Sequence, residues 1–317
     1  MFPQIEIDLQ RLDSNLKKMV GPRHPVLHAA AEHLFQAGGK RIRPAIIFLV
    51  AKATSNDKQL TNEHKRLAEI TEIIHTASLL HDDVIDECNI RRGLGTVNSK
   101  FNNKVAVLAG DFLFAQASWY LANLNDLEVV KIISKVITDF AEGEVTQGLT
   151  SFDASTSIDN YINKSFYKTA SLIASSCKAS TILSCADIVT QNAFYNYGKH
   201  IGLAFQIIDD ILDITGKSET LGKPAGSDLK NGNLTSPLLF ALNESPALYE
   251  LIEREFSEDS DIEYAIKLIK STNGIKQATD LAIEHAQTAI ESLKYYQSNT
   301  SIRDLKLLSN YIINRIS

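Results

Sequence analysis

The chain has 317 residues, 44% of them apolar and 22% charged, with a net charge of −6. That length supports a sizeable buried core, and the acidic balance argues against nucleic acid as a partner, because no basic stripe is present to neutralise phosphates. Glycine (15) and proline (7) both fall below the usual shares of about 7% and 5%, which favours long uninterrupted elements over short strands joined by turns.

In chain order, the N-terminal "MFPQIEIDLQRLDSNL" contains acids and lacks the apolar stretch of a signal or transit peptide. "GGKRIRP" (38–44) sets Lys40, Arg41 and Arg43 at the start of a predicted helix, where exposed N–H groups also favour anions. The following run "AIIFLVA" (45–51) is far short of the ~18 residues that span a membrane. "ATSNDKQLTNEH" (53–64) reads as a loop. "LAEITEIIHTASLLHDDVID" then places Leu67, Ile70, Ile73, Ile74, Ala77 and Leu80 at helical three- and four-residue spacings. "VAVLAGDFLFAQASWYLANL" and "VVKIISKVITDFAEGEVTQGL" predict two further, largely buried helices.

After a loop at 150–160, "FYNYGKHIGLAFQIIDDILDI" predicts another helix, with Gly198 and Gly202 four apart where two helices approach closely. The segment 215–237 is the longest polar, glycine-containing stretch, of a length usual for a lid or binding loop. Two or three amphipathic helices are predicted from about Ile262 to the end. With no alternating strand pattern, tandem repeat or linker, the expectation is one all-α domain over 1–317. Cys88, Cys177 and Cys185 are odd in number and lack CxxC spacing, which fits neither a disulfide framework nor a zinc site and points to a reducing compartment.

The chemistry concentrates in a pattern that occurs twice. "DDVID" supplies Asp82, Asp83 and Asp86; "DDILD" supplies Asp209, Asp210 and Asp213. Both end an apolar helix, where the dipole favours cations and disfavours acids. Asp82 and Asp86 share a helix face, and at about 6 Å and an effective dielectric of ~20 they repel by roughly 3 kcal/mol. Carboxylates on two helices suit Mg²⁺, which takes one or two of them per ion and completes its octahedron with water and phosphate oxygens. The cations to meet an anionic ligand are Lys40, Arg41 and Arg43, the pair Arg91 and Arg92, Lys168 in "FYKTA" and Lys223 in the long loop. His75 lies two turns before Asp82 on the same face.

Together these residues resemble the trans-isoprenyl diphosphate synthases (polyprenyl synthetases) over nearly the whole chain. "GGKRIRP", "LLHDDVIDECNIRRG", "YKTA", "AFQIIDDILD" and "GKPAGSDLKNGNLTSP" occur in that family's order. "TVNSKFNNKVAVLAGDFLFAQASWYLANL" (96–124) is most similar to the long-chain, solanesyl-type enzymes of cyanobacteria and plastids. The resemblance implies a helical bundle of the isoprenoid synthase type, with a central cavity lined by the two DDxxD helices. It implies that Lys40, Arg43, His75 and Arg92 hold isopentenyl diphosphate. Asp82, Asp86, Asp209 and Asp213 would hold Mg²⁺ on the allylic diphosphate, while Arg91, Lys168 and Lys223 neutralise that leaving group. Thr169, through its backbone carbonyl, and Gln206 would place partial negative charge near the allylic cation. In "NGNLTSP", Asn233 stands where most of the family carries a lysine, which puts one contact to diphosphate or metal-bound water in doubt.

One turn before Asp82, Ala77 and Ser78 leave open the floor that short-chain members close with a bulky aromatic. The next candidate stoppers are Phe112, Phe114 and Trp119. The implied product is a long-chain diphosphate of about C40–C50, C45 first, for a plastoquinone side chain; a geranylgeranyl-type synthase is the shorter alternative. The resemblance also implies a homodimer, and the hydrophobic product implies at most transient membrane contact. An Asn-, Ile- and Lys-rich chain without a transit peptide suits a plastid stroma or a bacterial cytoplasm. A terpene cyclase would not need the cations of a second diphosphate site. A regulatory subunit should have lost some of the six aspartates, and a phosphohydrolase built on "HDD" lacks its other metal histidines.

Overall fold

The computed structural model describes residues 2–21, 24–36, 39, 41–55, 57, 59–91, 93–216, 225–296 and 299–316. Lys40, Arg92 and Lys223 therefore lie outside the described residues. The described chain is almost wholly helical. In order it forms α1 (Glu6–Val20), α2 (Pro25–Gln36), α3 (Ile42–Thr54) and α4 (Asn62–Ile85), then a short antiparallel pair, β1 (Ile90–Arg91) and β2 (Leu94–Gly95). There follow α5 (Val97–Lys100), α6 (Asn103–Ala122), α7 (Leu127–Leu149), α8 (Ile158–Ser165), α9 (Ser171–Leu183) and α10 (Ile188–Thr215). The rest comprises α11 (Ser227–Lys230), α12 (Ser236–Ala241), α13 (Ala247–Glu253), α14 (Asp261–Ser271), α15 (Gly274–Ser292) and α16 (Thr300–Ile313). The expected loop at 215–237 is thus interrupted by α11, and its last two residues open α12.

The backbone divides into two compact units. The first gathers residues 1–137, 172–198 and 293–307; the second gathers 138–171, 199–292 and 308–317. In the first, α4 supplies the predicted apolar stripe, with Leu67, Ile70, Ile73, Ile74, Ala77 and Leu80 all fully buried. Thr61 caps the helix: its hydroxyl accepts the His64 amide, and His64 Nδ1 accepts the Thr61 amide. The same buried ring approaches the Ser180 carbonyl through Nε2 at 3.1 Å, tying α4 to α9. Burial holds the His64 pKa down, so the neutral ring is the one that caps. α10 begins against α9 at Gly198, where an added Cβ would lie 2.7 Å from Ala174 Cα. The close helix approach expected there is present.

The α4–α6 contact bears directly on the first aspartate motif. At Gly110 an added Cβ would lie 2.2 Å from His81 Nε2, so a side chain there would displace the ring beside Asp82. α6 buries Ala106, Ala109, Gly110, Leu113, Ala117 and Leu121. Its other face exposes Val107, Leu108, Asp111 and Trp119. Among the described helices it alone has the length and apolar composition to cross a membrane, a test that the core helix of a soluble protein also passes.

In the second unit α8 runs into a π turn at Phe166–Ala170, which the sequence pattern did not signal. Such turns shift the backbone bond from i→i+4 to i→i+5 and recur at functional sites. Tyr161 from α8 is 1% exposed and fills the interior beside α10. Also on α10, His200 meets His285 of α15 with the two Nδ1 atoms 2.9 Å apart, so one ring donates and the other accepts. Burial, then the facing His285 and Lys199, hold the His200 pKa down to about 4, and His285 is lowered as well. A histidine depressed on folding contributes stability that is fully present above its ordinary value of 6.5 and is lost as pH falls from there toward the folded value. The melting temperature is accordingly expected to fall between pH 7 and pH 5. His285→Gln should flatten that slope in a thermal-melt series, and an unchanged slope would show that the pair does not carry it.

Candidate active site

In the first unit the site is assembled at the end of α4. Arg41 forms the N-cap of α3 with φ +47°, a left-handed conformation uncommon outside glycine. Its guanidinium pairs with Glu72 and with Asp13, the latter at 2.8 Å. Burial works against its charge, but the two acids outweigh burial and raise its pKa. Arg41 is therefore committed to the scaffold, and it turns the chain so that Arg43 enters the first turn of α3. Arg43 Nη1 lies 3.1 Å from His75 Nε2, uniting two of the residues expected to hold isopentenyl diphosphate. A guanidinium can only donate, so His75 Nε2 is the acceptor in this pair.

The three acids of DDVID play different parts. Asp82 and Asp86 are partly exposed, whereas Asp83 is 1% exposed. Its Oδ1 takes Arg91 Nε at 2.8 Å and Nη2 at 2.7 Å. Burial raises the Asp83 pKa and Arg91 opposes the rise. Arg91, expected to neutralise the leaving group, here holds a structural carboxylate and shapes the turn leaving the helix. Asn98 Nδ2 donates to the Asp83 and Cys88 carbonyls, and Thr96 Oγ1 to the Cys88 carbonyl, which fastens that turn. Behind the motif, Ala77 is fully buried and Ser78 folds its hydroxyl onto the His75 carbonyl at 2.9 Å. Phe112 and Phe114 are half-buried, Phe114 with its ring 5.6 Å from that of His81. Trp119 is 60% exposed and lies on the outer stripe of α6, so it does not serve as an interior stopper of this unit.

At the end of α10 in the second unit the first two acids divide in the same way, while the third is buried. Asp209 is 38% exposed and pairs with Arg315 Nη2 at 2.7 Å. Asp210 is 3% exposed and accepts Tyr161 Oη at 2.6 Å and Gln206 Nε2 at 2.8 Å. Burial, then the neighbouring Asp228, push its carboxyl up to about 8 against those hydrogen bonds. Because Gln206 gives its amide hydrogens to Asp210, its Oε1 faces Thr169, which donates from Oγ1 at 2.5 Å. The amide thus has one orientation. Asp213 is 1% exposed and accepts Ser227 Oγ at 2.8 Å and the Asp228 amide at 3.2 Å, fastening α11 to α10.

Lys168, in the π turn, pairs with Glu144 at 2.8 Å and reaches Gln147 Oε1 at 3.4 Å. The buried Lys164 donates to Asn233 Oδ1. A small cavity is lined by Lys164, Lys168, Gln147, Gln206, Asp210 and Asn233. Tyr161, Lys164 and Arg315 were missed by sequence reasoning. Each is an ordinary helix residue in sequence, and only burial or a long-range partner marks it.

The polyprenyl synthetase family profile matches residues 24–269. A prenyl transferase from Porphyra purpurea is 58% identical over 317 residues, covering 100% of this chain and 98% of that protein. Solanesyl diphosphate synthase 1 of Arabidopsis thaliana chloroplasts is 55% identical over 297 residues, covering 93% of this chain and 73% of that one. The crystal structure of a Caulobacter crescentus polyprenyl synthase, complexed with calcium and isoprenyl diphosphate, superimposes with a TM-score of 0.93 at 32% identity, covering 99% and 97% of the two chains. Paired acidic helix ends, each flanked by cations, on an all-α chain with this extent of likeness establish that the protein belongs to the polyprenyl synthetase family and has the isoprenoid synthase fold.

Proposed function

We propose that the chain condenses isopentenyl diphosphate with an allylic prenyl diphosphate and repeats the addition to a long all-trans product of about C40–C50, C45 first. The prenyltransferase activity and the two substrate classes follow from family membership, whose members generally depend on Mg²⁺. The observation that carries the reading is that each unit ends an apolar helix in DDxxD and leaves the first acid, Asp82 or Asp209, partly exposed. The 55% identity to a solanesyl synthase supports the product length. The family profile runs through both units, which supports a single domain over 1–317.

The donor chemistry fits Mg²⁺. The available groups are hard carboxylate oxygens, and among the described residues no three acid, histidine or cysteine side chains enclose an ion by themselves. That suits an ion which keeps water and takes substrate phosphate oxygens. Asp82, Asp86 and Asp209 would hold about two to three ions, with Asp213 in reach only if it releases α11. The metal's chemistry is to stabilise the charge that develops on diphosphate as the allylic C–O bond breaks. Lys168, with Lys223 on the same expectation, would add fixed positive charge to that leaving group, whereas Arg91 is taken up by Asp83. Arg43 and His75, with Lys40 and Arg92, would orient the second diphosphate so that its double bond attacks the allylic carbon. Gln206 and, through its backbone carbonyl, Thr169 would place partial negative charge near the cation, and the departing diphosphate would take the proton, since no described side chain is an evident general base.

The exposed stripe of Val107, Leu108 and Trp119 on α6 supports a homodimer, because apolar side chains aligned along one helix face seek cover. The chloroplast and algal relatives support a plastid or cyanobacterial setting and plastoquinone as the use of the product.

Purified protein with Mg²⁺, labelled isopentenyl diphosphate and a C15 primer should give a product ladder ending near C45, read by chromatography after dephosphorylation. Ala77→Phe raises the floor and should shorten the ladder to about C20, at an overpacking cost of about 1–3 kcal/mol; an unchanged ladder would exclude Ala77 from the tunnel. Arg315→Ala removes a cation that competes with Mg²⁺ for Asp209, so half-maximal Mg²⁺ should fall by roughly two- to fivefold, the worth of a partly exposed ion pair. A higher requirement would instead give Arg315 a supporting role. Sedimentation velocity should report twice the 35.1 kDa chain mass, with Leu108→Asp dissociating it; a variant that stays dimeric moves the interface elsewhere.

A further inference from the structure

We infer that Lys164 is a diphosphate-binding residue for the allylic substrate and takes over the positive charge that Asn233 lacks. The inference rests on the prenyltransferase reading and names one further group in that site.

Lys164 is 8% exposed near the end of α8. A buried ammonium is costly unless an anion faces it. Here the partner of its Nζ is the neutral Asn233 Oδ1. Carboxylates act on it only at longer range, from Asp210, Asp228 and Glu144. Lys168 stands one turn later on the same helical run, and the two cations disfavour one another. Burial is the larger cause, and together the two lower the Lys164 pKa. Two ammonium groups converging on one small cavity, only one of them joined at short range to a carboxylate, suit a polyanion.

The position of the contact supplies the second argument. "NGNLTSP" carries asparagine at 233 where a lysine was expected, and that asparagine is the residue the Lys164 ammonium touches. The corner of the cavity therefore keeps a positive charge, delivered from α8 instead of from the segment after α11. Asn233 acts as its guide, since an amide oxygen orients the ammonium without neutralising it. Lys164 becomes a substrate-contacting residue with Asn233 as a positioning residue.

The test compares the wild-type enzyme with Lys164→Met, Asn233→Lys and the double variant K164M/N233K. It reads kcat, separate KM values for a C15 allylic diphosphate and for isopentenyl diphosphate, and inhibition by inorganic pyrophosphate. Lys164→Met should raise the allylic KM and the pyrophosphate inhibition constant by about 10- to 100-fold, the size of one charge-assisted hydrogen bond. The KM for isopentenyl diphosphate should stay unchanged. The double variant should recover most of the loss, because its lysine restores an ammonium to the same corner. If Lys164→Met does not fold, Lys164→Gln removes the charge while keeping a hydrogen bond to Asn233. Unchanged allylic and pyrophosphate constants, or a double variant no better than the single one, overturn the role of Lys164. An inactive wild-type protein overturns the prenyltransferase reading as well, so the two failures are distinct.

Discussion

Carboxylates crowded at the C-terminal end of a helix face both one another and the negative end of the helix dipole. Two long helices of this protein, α4 and α10, end in that way, and much of the surrounding structure answers it. The middle acid of each motif is buried and satisfied locally: Asp83 by the Arg91 guanidinium, Asp210 by Tyr161 and Gln206. The first acid of each stays partly exposed, Asp82 beside the packed His81 ring and Asp209 under Arg315. DDVID thus commits one carboxylate, Asp83, to the scaffold and DDILD two, Asp210 and Asp213, while Asp82, Asp86 and Asp209 stay partly exposed.

Positioning is achieved by close packing and by shared hydrogen bonds. Gly110 lets α6 approach α4 until the His81 ring fills the missing side chain. In the second unit a chain of bonds runs from Tyr161 to Asp210, then through the Gln206 amide to Thr169 in the π turn. Every member has a donor or acceptor that another member requires, so the Gln206 oxygen has one direction in which to point. The wider turn at Phe166–Ala170 sets Lys164 and Lys168 toward the same cavity.

Much was legible before any coordinates. The apolar stripe of α4, the helix ending at DDILD and the close approach at Gly198 all follow from residue spacing and side-chain size, which are local properties. The two aspartate motifs announced a diphosphate and divalent-metal chemistry because no folding requirement explains clustered acids at an apolar helix end. The division of roles within each motif was not legible. Asp82 and Asp83 are neighbours of one residue type, and which of them turns inward depends on the rotation of α4 against its partners. Trp119 was grouped with Phe112 and Phe114 for the same reason, and the face of α6 that packs on α4 separates them.

By itself the sequence determined the helical class, the family and the inventory of charged groups, since these depend on periodicity, composition and motif order. Tertiary structure alone decided the pairings: Arg91 with Asp83, Arg315 with Asp209 more than a hundred residues away, and Lys164 with Asn233. The physical reason is that the strength of a charge's interactions depends on burial and distance. Both are set by how helices remote in sequence pack, and neither is written in the identity of the residue.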